Sequence, residues 1–220
     1  MTRQEGLLKV GASTESPNSV LSFITDLIFV SIAAYLLLDY AWTLLFRQVS
    51  MLVLVREAFL TVYLLMALAF LAVRKSAKTF TTRKADYLYT ILGFSSPLFF
   101  QPSSYSGLVF GGASLEVSGL ALVASAFLSL NQSFGLAPQN RGIKTNGAYR
   151  FVRHPMYLGY ILAEAGYLVN NFSDFNLVVL AVSVLFLLLR LRAEEQLLGQ
   201  DQAYRNYSRK TPWKLLPLLF

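Results

Sequence analysis

Residues Phe175 to Leu191, FNLVVLAVSVLFLLLRL, are apolar at nearly every position, so no face of a helix or strand built from them is polar enough to meet water. A run of this kind approaches the ~20 residues that cross a ~30 Å hydrocarbon core as an α-helix. Comparable apolar runs cover 20–46, 52–73, 87–100, 108–130 and 156–170. The third is short and carries Pro97, and the fifth is short and holds Glu164, so both read equally well as re-entrant or tilted segments. The expected fold is an all-α, polytopic integral membrane helix bundle with five or six spans.

Composition agrees. Hydrophobic residues make up 55% of the chain and charged residues 14%, against roughly a quarter charged in a soluble domain. The formal net charge of +7 is explained by topology rather than by nucleic acid. Arg74, Lys75, Lys78, Arg83 and Lys84 fill one loop, the Gln101 to Gly107 loop has no cation, and Arg141, Lys144, Arg150 and Arg153 fill the next. The Asn170 to Asn176 turn is again free of cations, and the tail carries Arg192, Arg205, Arg209, Lys210 and Lys214. Positive charge marks the cytosolic side, so both termini are expected there, together with loop 131–155 and tail 192–220. The polar residues 1–19 read as a cytosolic N-terminal tail, 20–130 as N-terminal transmembrane helices, and 131–220 as a separate C-terminal half. That half ends in an amphipathic stretch with Leu197, Leu198, Tyr204, Tyr207 and Trp213, suited to the headgroup level. The chain has no cysteine and a single histidine, which removes disulfides, thiolate chemistry and cysteine-ligated metals and argues against a histidine-based metal centre.

Chemistry-bearing side chains concentrate at one membrane boundary. Asn146 to Tyr160, NGAYRFVRHPMYLGY, holds the only histidine, two arginines and three tyrosines. Interfacial anchoring accounts for the arginines and tyrosines, and Pro155 suits the first turn of a helix, where its missing N–H is not needed. Glu194 and Glu195 close the last long run, and Glu194 lies four residues after Arg190, the spacing of a surface ion pair worth a few tenths of a kcal/mol. Such a pair does not call for two adjacent acids.

Gly147-x-Tyr149-Arg150 followed by Arg153-His154-Pro155-x-Tyr157-x-Gly159 resembles the signature of the isoprenylcysteine carboxyl methyltransferases and their phospholipid-methyltransferase relatives. Ser133-Phe134-Gly135, Thr145, Glu194-Glu195 and Tyr204-x-x-Tyr207 with Pro212 and Pro217 follow in the family's order, so the resemblance covers 131–217. Two departures stand out: the Glu195 to Tyr204 segment is short, and Lys210 takes the place of a usual arginine.

The resemblance implies a membrane-embedded enzyme that binds S-adenosylmethionine between the loop and the last helix, facing the cytosol, with a tunnel to the bilayer for a lipid-like or hydrophobic acceptor. Tyr149, Arg153, His154, Pro155, Tyr157, Gly159, Glu194, Glu195, Tyr204 and Tyr207 are then the expected cofactor-binding residues, with Arg153 and Glu195 as catalytic candidates and no metal. Carboxylates complement the cofactor's positive and hydroxyl groups, and Arg153 and His154 complement its carboxylate. Glu164 lies ten residues past His154. On a continuous helix that is about 15 Å deeper, where it either lines a substrate cavity or makes a buried structural hydrogen bond. Arg56 and Glu57, near a span end, fit snorkelling. Two other readings remain: a sterol-reductase-like enzyme using a reduced nicotinamide dinucleotide phosphate, and a transporter or scaffold coupled through Glu116 and Glu164. Acceptor identity and oligomeric state stay open at this level.

Overall fold

The computed structural model describes residues 17–46, 51–103 and 110–217. The side chains of 17–19, 51–60 and 63 fall outside that description, and with them the expectations for Arg56, Glu57 and most of the N-terminal tail.

Among the described residues the secondary structure is helical apart from one two-residue strand pair, and six helices form the bundle: α1 (Pro17–Phe46), α2 (Met51–Val73), α3 (Lys84–Ser95), α4 (Phe110–Leu130), α5 (Pro155–Asn170) and α6 (Asp174–Leu198). A short α7 (Gln202–Lys210) follows. Segments 20–46, 110–133 and 174–198 are long and apolar enough to cross a membrane by length and composition. The two doubtful runs are short helices, α3 of 12 residues and α5 of 16. At 1.5 Å per residue they rise roughly 18 and 24 Å, less than a ~30 Å core. Proline stops α3. Pro97 has no N–H for the Gly93 carbonyl, the chain tightens into a 3-10 turn over Ser96–Leu98, and Ser96 Oγ lies 2.9 Å from that carbonyl as its substitute donor.

Neighbouring helices close a ring in the order α1, α2, α4, α5, α6, α3 and back to α1. The α4–α5 contact is the tightest. A Cβ added at Gly119 would stand 2.5 Å from Ala163 N, and one at Gly159 would stand 2.7 Å from Gly119 O. Gly112 and Gly166 repeat the contact one heptad along, with Gly166 reaching 2.5 Å from Glu116 N. Small residues on both faces let the two backbones touch, the arrangement that holds helices together where lipid gives no hydrophobic drive. The outward faces stay apolar and exposed, as at Leu38, Phe110 and Leu128.

The two ends of the bundle differ. At one end β1 (Thr79–Phe80) pairs antiparallel with β2 (Gln139–Asn140), which ties the first basic loop to the second. The tail joins them there: Arg153 N donates to Trp213 O and His154 N to Lys214 O, both at 2.9 Å. At the other end the cation-free segments meet, with Gln101 N donating to Asn176 Oδ1 at 3.0 Å and Ser103 Oγ to Phe172 O at 2.7 Å. The cationic segments therefore cluster at one end of the bundle.

Two outcomes follow from this architecture. Gly119→Leu must push α4 off α5 and costs about 1–3 kcal/mol or more, whereas Gly111→Leu, with nothing within 4 Å of its new Cβ, is near neutral; thermal unfolding in detergent compares them. In this cysteine-free chain, single cysteines at Lys78 and Lys144 are labelled by an impermeant maleimide from one face of sealed vesicles, and one at Ser173 from the other.

Candidate functional site

The site is built at the cationic end, where loop 131–155 folds over the ends of α5 and α6. Loop 147–150 forms one 3-10 turn, and Gly147 enters it at φ +57, a left-handed conformation that favours glycine. Pro155 is fully buried at the first position of α5, where its fixed φ starts the helix without losing a bond. His154 precedes the first turn of α5, and its ring is directed at α6 instead of capping its own helix.

Glu195 gathers the elements. His154 Nε2 lies 2.7 Å from Glu195 Oε1, Arg153 Nη2 is 3.3 Å from Oε2, and the Tyr204 hydroxyl donates to Oε1. One carboxylate thus links the loop, α6 and α7. Glu194, its neighbour, accepts from the Tyr157 hydroxyl at 2.7 Å. Tyr207 donates to the Tyr149 carbonyl at 2.6 Å, binding α7 to the loop turn. Asp201 positions α7 by capping it at Ala203 N, 2.8 Å, and by accepting from Asn140 at 2.8 Å.

A cavity of roughly 70 Å³ lies in front of these groups. Tyr149, Arg153, His154, Tyr157, Glu194, Tyr204 and Tyr207 line it, as do Arg141 and Arg190. Glu195 is not in its wall. It is bonded to Arg153, His154 and Tyr204, three side chains that do line the cavity. Gly159 and Pro155 are also outside the wall; Gly159 is spent on the α4 contact. Glu164 lines a different, larger cavity.

Arg190 departs most from the sequence expectation. It is buried, not a surface partner for Glu194, and its Nη2 donates to Leu136 O at 2.6 Å. Its guanidinium carbon sits 4.6 Å from the Phe94 ring centroid and 5.0 Å from that of Tyr157. It lines both cavities, forming part of the wall between them. The available sequence signal was an arginine inside an apolar run on the same helical face as Glu194. Arg141 was visible only as a topology charge. It reaches Lys75 O and Gln139 Oε1, the latter at 2.6 Å, and burial together with Arg74 lowers its pKa to about 10, leaving it cationic at neutral pH.

The wall is short of acceptors. Arg141 Nε, Arg153 Nε, and both Nε and Nη1 of Arg190 are buried without a partner. Each such donor costs about 1–3 kcal/mol, more when charged. Three guanidiniums around one cavity therefore fit a ligand rich in acceptor oxygens, and Glu194 adds one acidic group beside them. Burial raises the Tyr149, Tyr204 and Tyr207 phenols well above their ordinary range, with the Glu195 carboxylate adding to the effect at Tyr204. These phenols stay protonated and act as donors.

Residues 113–200 match the model of the isoprenylcysteine carboxyl methyltransferase (ICMT) family. This part of the chain is similar to that family of membrane methyltransferases. A methanethiol S-methyltransferase from Pseudomonas deceptionensis is 31% identical over 113 residues, which is 46% of this chain and 42% of that protein. The match spans less than half of that relative. The ICMT-like segment begins inside α4, ahead of the boundary at 131, and so includes the glycine contact that fixes α5.

Tyr204→Phe removes the donor to Glu195 and loosens α7 by about 1.5–3 kcal/mol, readable as faster proteolysis of the tail. Because the Tyr204 phenol ionises far above about pH 10, the same variant leaves the tyrosinate absorbance rise near that pH unchanged.

Proposed function

We propose that the protein is an integral membrane methyltransferase that takes S-adenosylmethionine in the cavity at its cationic end and methylates a lipid-like or hydrophobic acceptor. The observation that carries this is the set of unpartnered guanidinium nitrogens around a cavity that also holds Glu194, at the place where an ICMT-like sequence runs. The cofactor supplies, when bound, an electrophilic methyl group on a sulfonium.

This chain's residues do the rest. Arg141 and Arg153 complement a carboxylate, and Glu194 complements an ammonium or hydroxyl group. Tyr149, Tyr157, Tyr204 and Tyr207 close the walls and exclude water, which strengthens every charge interaction inside. Glu195 fixes Arg153, His154 and Tyr204 in place, so its role is positioning. Arg190 faces both cavities and stands where an acceptor would approach. Alignment of the two reactants supplies much of the acceleration for an in-line displacement. A carboxylate acceptor needs no base; an amine or thiol acceptor must lose a proton to solvent or to a neighbouring group.

The acceptor would enter through the larger cavity of about 220 Å³ inside the helix ring. Its wall is mostly apolar and drawn from all six helices. The relative's name gives sulfur methylation of a very small thiol as a second acceptor class. A cavity of this size favours a bulkier hydrophobe.

Calorimetric titration of purified protein with S-adenosylmethionine is expected to show binding that weakens at least roughly tenfold in Glu195→Ala. Absence of binding by the intact protein sinks the proposal. Incubating membranes with methyl-labelled cofactor and identifying the labelled product by mass spectrometry reads the acceptor directly.

A further inference from the structure

The larger cavity has a polar point that the chemistry above does not use. Glu164 of α5 stands in its wall and is buried. Its Oε1 lies 2.8 Å from Ser96 Oγ, and Ser183 Oγ of α6 donates to the same serine at 3.0 Å. Its Oε2 is buried with no partner in the protein. Glu116 in the same wall is already partnered, and Asp39 is exposed, so neither satisfies it.

A carboxyl group inside an apolar bundle is costly, and leaving one oxygen unpaired adds to that cost. A purely structural role would be complete only with both oxygens satisfied. Across the cavity Arg190 also presents unpartnered nitrogens. Ser183 and Arg190 are seven residues apart on α6, so the Glu164 group lies roughly 10 Å along the helix axis from the wall shared with the cofactor cavity. The chamber thus has a cationic end and an acidic end with apolar surface between.

We infer that Glu164, backed by Ser96 and Ser183, binds a hydroxyl or amine on the remote end of the methyl acceptor, opposite the end that faces Arg190. The inference rests on the methyltransferase reading for what the ligand is, and on the cavity alone for what it must carry. A hydroxyl pairs with the carboxyl in either protonation state; a protonated amine pairs with the carboxylate. An unsubstituted hydrocarbon tail leaves Oε2 unpaired, so the site discriminates against plain alkyl or prenyl chains and favours an elongated hydrophobe polar at both ends.

Calorimetry on the full chain in lipid nanodiscs tests this with octanoate, ω-hydroxyoctanoate and ω-aminooctanoate, whose carboxylate suits Arg190. The hydroxyl probe is expected to bind roughly tenfold tighter than octanoate. Glu164→Leu erases that ratio while octanoate affinity holds or improves. Should the leucine variant fail to fold, Glu164→Met, closer in shape, makes the same comparison. The amine probe shows which donor is preferred, and tighter binding than octanoate by either supports the site. Equal affinity of all three probes for the intact protein, a preference that survives loss of the carboxyl, or no uptake of any probe overturns the inference. Parallel titration with S-adenosylmethionine separates the two ideas: cofactor binding without the preference removes only this one, and the preference without cofactor binding removes only the methyltransferase reading.

Discussion

Everything at the functional end hangs on the backbone contact between α4 and α5. A bundle in lipid cannot rely on hiding apolar surface from water, because its outer faces are apolar and exposed by design. Close van der Waals contact replaces that drive, and Gly119, Gly159 and Gly166 make it available because each meets the backbone of the facing helix where a Cβ would stand. With α5 fixed against α4, Pro155 and His154 begin the helix at a set place, and the side chains of Tyr157 and His154 face α6 rather than the lipid.

The polar parts of the structure then arrange themselves in two tiers. Glu195 is satisfied by the protein itself, through His154, Arg153 and Tyr204, and so behaves as a fastening between loop, helix and tail. The guanidiniums of Arg141, Arg153 and Arg190 are not fully satisfied, and the imbalance is local to one cavity. A folded chain tolerates buried unpaired donors only where a ligand completes them or where stability is given up for function. Glu164 repeats the same imbalance with opposite sign in the apolar chamber, which makes the wall at Arg190 the border between a polar compartment and an oily one.

Much of this was legible in the linear chain. Apolar runs located the starts of all six bundle helices to within three residues, while α3 stops at Ser95, short of the run's end at 100, and α6 continues to Leu198, past the run's end at 191. The alternation of basic and neutral loops foretold that the two cationic loops and the tail share an end, which the β1–β2 pair and the Trp213 and Lys214 carbonyls bear out. The short runs with Pro97 and Glu164 were correctly separated from the long ones by length.

What the sequence could not show is how side chains on different helices are shared out. Residue type grouped Gly159 and Glu195 with the expected site residues, and the structure packs Gly159 against α4 and bonds Glu195 to three side chains that line the cavity. Arg190 read as a surface charge, since a one-dimensional spacing to Glu194 carries no information about which face of α6 is enclosed. The sequence by itself determined a membrane bundle with one cationic, tyrosine-rich end and the order of its motifs. Only the tertiary structure decided which of those residues face empty space, because burial and unmet hydrogen-bonding capacity arise from contacts between segments far apart in the chain, as with His154 and Glu195, 41 residues apart, or Leu136 and Arg190, 54 apart.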